Sequence, residues 1–483
     1  MSESLLDLKT LVLACGGTVI GNAKECFFDS VATDSRNVVK NTLFVPLIGE
    51  FQNGHKYIPQ AVANGASVVL VNRDEATEDF SSFASVVFIA VDNTLFALQA
   101  AARVYAKKVA ANMIRVSITG SSGKTTTKEM LVSVCKEHYG EKAVAYTKGN
   151  FNSETGLPLS MFQIRGDEKI GIFEMGMNRK NEIGEISGIW QSQYGIITNI
   201  GNAHIGILGS RQNIAEEKRK SFDYIPENGA AFIPASDDFA DYCTQKVRGK
   251  IVRFGKTIPQ AESGVNFVKS LGLKGTCFTL DGVEITLPLS GDYNFQNALG
   301  VVALCKELGI SAQEIKRGLE KMTPVSGRME IKDVKLKSGV GATLVCDCYN
   351  ANPDSMEKVI NLCSEQSSKE YSQKIFILGD MKELGESSVK AHAQIGNAAA
   401  KAQASLVILV GPEMKAAADV FDSNTVSNTS LVYFEANDKD FYESAANKIL
   451  ENAKSGALIL IKGSHSMALE KLVPAIMAEG VLK

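Results

Sequence analysis

The pattern of apolar and polar positions divides the chain into alternating helices and strands. Apolar residues recur at helical spacing over 5–15 and stop at Gly16-Gly17. Strand-like runs follow at 42–48 (TLFVPLI), 67–71 and 86–91, with helices predicted over 57–64 and the alanine-rich 94–110. In the next segment Ile114, Val116 and Ile118 alternate with Arg115 and Ser117, which predicts a strand, and Met130, Leu131, Val134 and Cys135 recur at helical spacing beyond it. Buried strands are expected at 170–173 and 194–200, antiparallel hairpins in the glycine-punctuated 267–288, and a helix over 294–308. After Pro324 the pattern becomes regular: strands at 344–348, 375–378, 406–410, 431–434 and 457–461, with helices starting near Ser355, Ser388, Glu413, Asp438 and Ser466. That is a doubly wound, Rossmann-like sheet. The expected fold class is therefore α/β in three domains, 1–112, 113–325 and 326–483, the central one with a mostly parallel sheet. A length of 483 residues agrees with that, at roughly 150 residues per domain.

The central domain opens on the strongest chemical signal. Between the 114–118 strand and its helix lie Gly120, Ser121, Ser122 and Gly123, then Lys124, Thr125 and Thr126. Strand, glycine loop, GKT and helix make a phosphate-binding loop. Small residues let backbone N–H groups close around phosphate oxygens, the helix N-terminus adds partial positive charge, and Lys124 reaches the β and γ phosphates. Thr125 is placed to ligate Mg²⁺ through its hydroxyl. The strict pattern GxxxxGK[ST] has a glycine where this chain has Ile118.

Other polar clusters fall at strand ends and loops. The run from Thr147 to Pro158 holds Asn150, Asn152 and Thr155 and is denser in amides and hydroxyls than a turn needs, so it suits presentation to a ligand. Glu174 ends one strand and His204 follows another; both belong to the carboxyl edge of a parallel sheet, where ligands bind, so both could meet Mg²⁺ beside Thr125. For His204 a satisfied loop histidine is the alternative. Thr33-Asp34-Ser35-Arg36 reads equally as a turn or as an anion and ribose contact, Arg36 forking onto a diphosphate. Asn294 and Asn297 share one helix face and can cap that helix or meet an adenine edge. The C-terminal repeats lack GxGxxG after their first strand. They carry Asp347 with Tyr349, Asn350, Asn352 and Pro353, then Gly379-Asp380-Met381 and Lys462-Gly463-Ser464-His465, which outline a second surface facing the phosphate loop.

Composition narrows the class. With 45% apolar and 22% charged residues the chain is globular, and a formal charge of −3 argues against nucleic acid as a partner. Nine scattered cysteines, odd in number and without zinc spacing, fit a reducing cytosol. No signal-peptide pattern and no apolar run near 18 residues occurs, so the expectation is a cytoplasmic protein without membrane insertion.

Together the motifs resemble the Mur ligase family along nearly the whole chain. TDSR, LFVPLIGEFQNGHKYI and TGSSGKTTTKE are similar to motifs shared by two of its branches. GNFNSETGLP, EMGMN, ITNIGNAHI, CYNANPDSM and LGDMKELG look like the branch that adds the terminal dipeptide. The resemblance implies ATP-dependent joining of D-alanyl-D-alanine to UDP-muramoyl-tripeptide through an acyl phosphate, with Mg²⁺, in a monomer. Asp34, Ser35 and Arg36 would then bind the uridine nucleotide, and Asn150, Asn152, Thr155, Tyr349, Asn350 and Asn352 the substrates. Thr125, Glu174 and His204 would hold metal, and Asn294, Asn297, Arg328 and Asp347 the nucleotide. Gly327-Arg328 would mark a hinge for closure of the third domain. The run Ile214 to Lys220 reads by itself as a solvated helix face. The resemblance instead implies that Lys218 is carbamylated and catalytic, alongside Lys124 and His204. Three positions depart from the family's habit: Cys346 where an acid is common, Tyr293 before Asn294, and His465 where KGSR has arginine.

Rival readings are a folylpoly-γ-glutamate synthetase, a degenerate nucleotide-binding regulator, and a P-loop kinase or GTPase. The first lacks a TDSR-bearing domain, the second should have lost Lys124, Glu174 or His204, and the third leaves the C-terminal repeats without a role.

Overall fold

A computed structural model describes residues 4–20, 27–76, 80, 83, 85–423, 429–435 and 441–478. The first sheet holds β1 (Thr18–Ile20), β2 (Ser30–Ala32), β3 (Thr42–Phe44), β4 (Ala66–Asn72) and β5 (Val87–Val91). Their order is β1-β5-β4-β3-β2, with β1 antiparallel to β5 and the rest parallel. The predicted 42–48 strand is shorter than its apolar run, because Pro46 brings no N–H to a ladder; the chain turns there and pairs again only at the Ile48–Asn53 bridge. Gly16, at φ +60, ends the Leu8–Cys15 helix in a left-handed cap.

The second sheet is parallel throughout: β6 (Ile114–Thr119), β7 (Val144–Tyr146), β8 (Ile170–Glu174), β9 (Tyr194–Ile197), β10 (Ala230–Pro234) and β11 (Lys250–Phe254), in the order β11-β10-β9-β6-β8-β7. β6 lies inside the sheet, so its apolar face is buried beyond the partly covered Ile114: Val116 and Ile118 pack with Met130, Leu131 and Val134 of the Lys124–Tyr139 helix. The expected hairpins form a separate antiparallel sheet, β12 (Val265–Ser270), β13 (Thr276–Leu280) and β14 (Val283–Leu287), which adds Phe278, Leu280, Ile285 and Leu287 to that core.

The third large sheet contains β15 (Glu330–Lys335), β16 (Gly341–Asp347), β17 (Gln373–Gly379), β18 (Leu406–Val410), β19 (Ser430–Phe434) and β20 (Ala457–Lys462), in the order β15-β16-β20-β17-β18-β19. All pairs are parallel except β15 with β16. β15 was not legible as a strand, because four of its six residues are charged and only Val334 is buried. The helix expected near Glu413 runs Lys415–Ser423, and the start expected at Asp438 lies outside the described residues. Near Ser466 the chain makes two 3-10 turns, His465–Met467 and Leu469–Lys471, before the short Leu472–Ile476 helix.

The two junctions between these sheets differ in chemistry. Leu98, Ala102 and Tyr105 of the first region share one apolar core with Leu157, Phe162, Phe173 and Trp190 of the second. Between the second and third regions lies a cleft of about 1120 Å³, lined largely by polar side chains.

Candidate active site

β6 delivers the phosphate loop to this cleft. Ile118 is fully buried and still inside the strand, pairing with Glu174 and Ile196. The tight turn therefore starts two residues later than the strict motif would have it. Gly120 makes the close approach, since a Cβ there would lie 1.8 Å from Thr198 Oγ1. At Gly123 φ is +80, and a Cβ would come within 2.7 Å of the Asn297 amide. Asn199 braces the loop: its carbonyl and side-chain oxygens accept from Ser121 N and Ser122 N, each at 3.1 Å. No side chain caps the Lys124–Tyr139 helix, which leaves its first N–H groups for an anion.

Lys124 Nζ donates to Gly120 O at 2.8 Å. Enclosure lowers its pKa from the ordinary lysine value, with Glu174 and Glu383 opposing and Arg328 adding to the effect. Glu174, 2% exposed, accepts from Thr125 Oγ1 at 2.9 Å and from Asn152 Nδ2 at 2.7 Å. Thr147 Oγ1 holds its backbone N–H at 2.9 Å. A buried carboxylate held by neutral donors, beside a hydroxyl and at the mouth of a phosphate loop, is a hard-oxygen set that suits Mg²⁺.

His204 lines the same cleft, but its Nδ1 turns to Glu383 Oε2 of the C-terminal region, 2.6 Å away without hydrogen-bond alignment. The residue adopts φ +65, rare for a non-glycine. From the same C-terminal region come Arg328, its guanidinium 4.1 Å from the Tyr349 ring centre, and Asp347, Asn350 and Asn352. Asp347 is already engaged: Lys462 Nζ sits 2.5 Å from Oδ2, and Met329 N donates to Oδ1 at 3.2 Å. Asn294 and Asn297 are both buried and line the cleft; Asn294 Nδ2 also donates to Ser290 O at 2.8 Å.

The structure thus brings together Ser121, Ser122, Gly123, Lys124, Thr125, Thr126, Asn150, Asn152, Glu174, His204, Asn294, Asn297, Arg328, Asp347, Tyr349, Asn350 and Asn352 around one cleft. It does not bring Gly120, Thr155 or Lys218 to the lining, nor Asp34, Ser35 and Arg36. In that turn Asp34 caps the Ser35–Asn37 turn and pairs with Arg36 at 2.6 Å, which holds its carboxyl down at about 2. Arg36 is 80% exposed, and Ser35 Oγ donates to Gln60.

Lys218 is the clearest departure from the solvated-face reading. It is 1% exposed on the Arg211–Arg219 helix, its ammonium making no hydrogen bond or ion pair among the described residues. Burial, then the Lys124 ammonium, hold its pKa well below the ordinary value, against an opposing pull from Glu217. Glu217 itself accepts from Asn181 N and Ile183 N, so it holds the start of the earlier Glu182–Trp190 helix rather than the cleft.

Sequence reasoning missed Lys128. Fully buried one turn after Lys124, it donates to Thr147 O at 2.7 Å and fastens the Thr147–Pro158 loop to the phosphate-loop helix. Its i+4 spacing from Lys124 was the available signal. Of the positions unusual for the family, Cys346 is buried in the C-terminal core, Tyr293 is enclosed with its phenol pKa raised by burial, and His465 stacks on Tyr349 at 5.6 Å.

A glycine-rich phosphate loop facing, across one polar cleft, the strand ends of a second doubly wound domain defines a multidomain P-loop ligase. Residues 28–113 match the Mur ligase family catalytic domain, 118–305 the Mur ligase middle domain, and 327–465 the Mur ligase glutamate ligase domain. The chain belongs to the Mur ligase family. It is 39% identical to the UDP-N-acetylmuramoyl-tripeptide–D-alanyl-D-alanine ligase of Treponema pallidum (strain Nichols), across 98% of this chain and 100% of that one. The enzyme of the same name from Bacillus subtilis (strain 168) is 32% identical over 93% of each. A crystal structure of MurF from Acinetobacter baumannii superposes with a TM-score of 0.82 at 28% identity, covering 96% of this chain and 97% of that chain.

Proposed function

We infer that this chain is an ATP-dependent ligase that joins D-alanyl-D-alanine to UDP-N-acetylmuramoyl-tripeptide. The observation that carries the chemistry is the placement of Lys124, Thr125 and Glu174 opposite Arg328 and Tyr349 across one cleft. The relatives' names supply the substrates. The N-terminal region, about 1–112, takes the uridine nucleotide; the central region, 113–325, takes ATP; the third, 326–483, closes over both.

A carboxylate is a poor acyl donor. Its oxygen attacks the γ-phosphorus of ATP, ADP leaves, and the product is an acyl phosphate. Lys124 and the free N–H groups of the phosphate-loop helix meet the charge that builds on the transferring phosphoryl group. Arg328 faces the same charge from across the cleft. Thr125 and Glu174, with His204 nearby, would hold Mg²⁺, which supplies further charge neutralisation. The dipeptide amine then attacks the acyl carbon, and phosphate leaves after the tetrahedral intermediate gives up a proton. Tyr349, Asn350 and Asn352 stand on the side from which that amine arrives, and the Asn150–Asn152 loop on the side of the tripeptide.

ADP and phosphate should form rapidly only when UDP-muramoyl-tripeptide and D-alanyl-D-alanine are both present. Rapid turnover with a folate and glutamate instead would sink the assignment. Arg36→Ala tests the uridine site: it should raise KM for the UDP substrate while KM for ATP stays nearly unchanged, because the turn stands apart from the cleft. Equal damage to both constants would make TDSR a structural turn.

A further inference from the structure

We propose that Asp354 is a positioning residue that couples seating of the C-terminal domain to the shape of the phosphate loop. This rests on the ligase reading, because it assigns how the closed cleft is completed.

Asp354 lies in the first turn of the Pro353–Ser364 helix and is absent from the lining of the cleft. Its side chain nevertheless leaves its own domain. Oδ2 accepts from Asn202 N at 2.8 Å and Oδ1 from Asn202 Nδ2 at 2.9 Å, so one carboxylate takes both donors of a residue in the loop after β9. A charged acceptor with two aligned donors is among the stronger hydrogen-bond arrangements. The neighbouring Gly201 N donates to Ser121 Oγ at 2.9 Å, and Ser121 belongs to the phosphate loop. Asp354, Asn202, Gly201 and Ser121 thus form an unbroken path from the third domain to the atoms expected to meet phosphate. The same loop is gripped at its far end, where Gly206 N donates to Glu383 O at 3.0 Å and His204 faces the Glu383 carboxylate.

The path exists only while the C-terminal domain is seated. The junction of the first two regions is a large shared apolar core, whereas the second junction adds only Leu273, Ile205 and Tyr293 to the C-terminal core, and its Asp354 and Glu383 contacts are polar and can exchange with water. When the third domain swings away, Asn202 loses both acceptors and the 201–204 loop is released from one side. Ser121 then keeps only the support of its own domain.

Gly201 supplies a steric test. Its φ is not left-handed, so a side chain there is not strained by the backbone. A Cβ would nevertheless lie 2.3 Å from Asp354 Oδ2 and 3.3 Å from Ser121 Cβ. Gly201→Ala should therefore act as a wedge against Asp354 in the seated state, and removing the Asp354 side chain should relieve it.

The experiment measures phosphate release by the full chain with saturating ATP, tripeptide nucleotide and dipeptide. It also measures the radius of gyration by small-angle scattering with a non-hydrolysable ATP analogue. Asp354→Ala should lower kcat on the order of ten-fold, a coupling of ordinary size for a contacting pair, with KM for the UDP substrate unchanged and a larger radius than wild type. Asp354→Asn should recover part of kcat, because Asn202 can turn its amide to match. Gly201→Ala should also lose activity, and the double variant Gly201→Ala/Asp354→Ala should exceed Gly201→Ala alone. A purely structural aspartate would show independent losses that multiply. Wild-type kcat in Asp354→Ala, multiplying losses in the double variant, or an unchanged radius overturns the coupling. A wild-type enzyme that releases no phosphate with its three substrates overturns the ligase reading instead, and the scattering comparison still decides whether Asp354 seats the domain.

Discussion

Lys124→Ala will lower kcat by about 10²–10³ or more, the loss seen when one preorganised charge is removed from a developing transition state. That corresponds to about 3–4 kcal/mol of barrier. The side chain leans back to Gly120 O at 2.8 Å and stands within electrostatic reach of Glu174, Arg328 and Glu383. Its charge therefore lies where phosphoryl oxygens approach from either wall of the cleft. Melting should change little, since the lysine faces the cleft and is only half-buried. Steady-state phosphate release alongside a melting curve reads both. Turnover near wild type would mean that a loop with Ile118 in place of the first glycine does not work as a phosphate loop.

Lys218→Ala should be nearly inactive and partly rescued by small carboxylic acids. A charged lysine beside Lys124 would repel it, and among the described residues no acid pairs with it; the buried side chain is instead held toward the neutral amine. A neutral amine adds carbon dioxide and releases a proton, leaving a long carbamate anion. Such an anion restores attraction to Lys124 and can orient metal or acyl phosphate. Exogenous carboxylate can occupy the space left by truncation, which is why rescue distinguishes a lost anion from a lost fold. Lys220→Ala is the control: it pairs with Glu217 and Asn181 rather than the cleft, so kcat should stay near wild type. Its melting temperature should fall, because Glu217 is 2% exposed and loses its cation. Ordinary kcat in Lys218→Ala, or mass spectrometry of the native protein showing only a free amine, returns this residue to a packing role.

Local periodicity carried most of the fold. The strands at 114–118, 406–410 and 457–461 and the helix at 94–110 were legible because each buries a face or a whole segment whose apolar spacing is local. β15 was not, since a charged strand at a sheet edge keeps little apolar pattern and is held by its ladder to β16. The short 3-10 turns after β20 were not legible either, because a single apolar turn at helical spacing reads as a longer helix. The phosphate loop was legible in spite of Ile118, because the turn chemistry of Gly120 and Gly123 is written in those two residues.

The sequence by itself determined the class of chemistry: a phosphate loop, strand-end acids and amides, and two different α/β patterns, all of them short-range signals. Only the tertiary structure decided partnership and burial. That Lys218 is buried away from any ion-pair partner among the described residues, that Lys128 ties a distant loop to the phosphate-loop helix, that Asp347 pairs with Lys462, and that Asp354 holds Asn202 across a domain junction are facts about residues up to 152 positions apart. Along the chain the side chains of Lys128, Lys218 and Asp354 look like solvated charges. Each becomes costly or useful only when folding removes its water and sets one particular neighbour in its place.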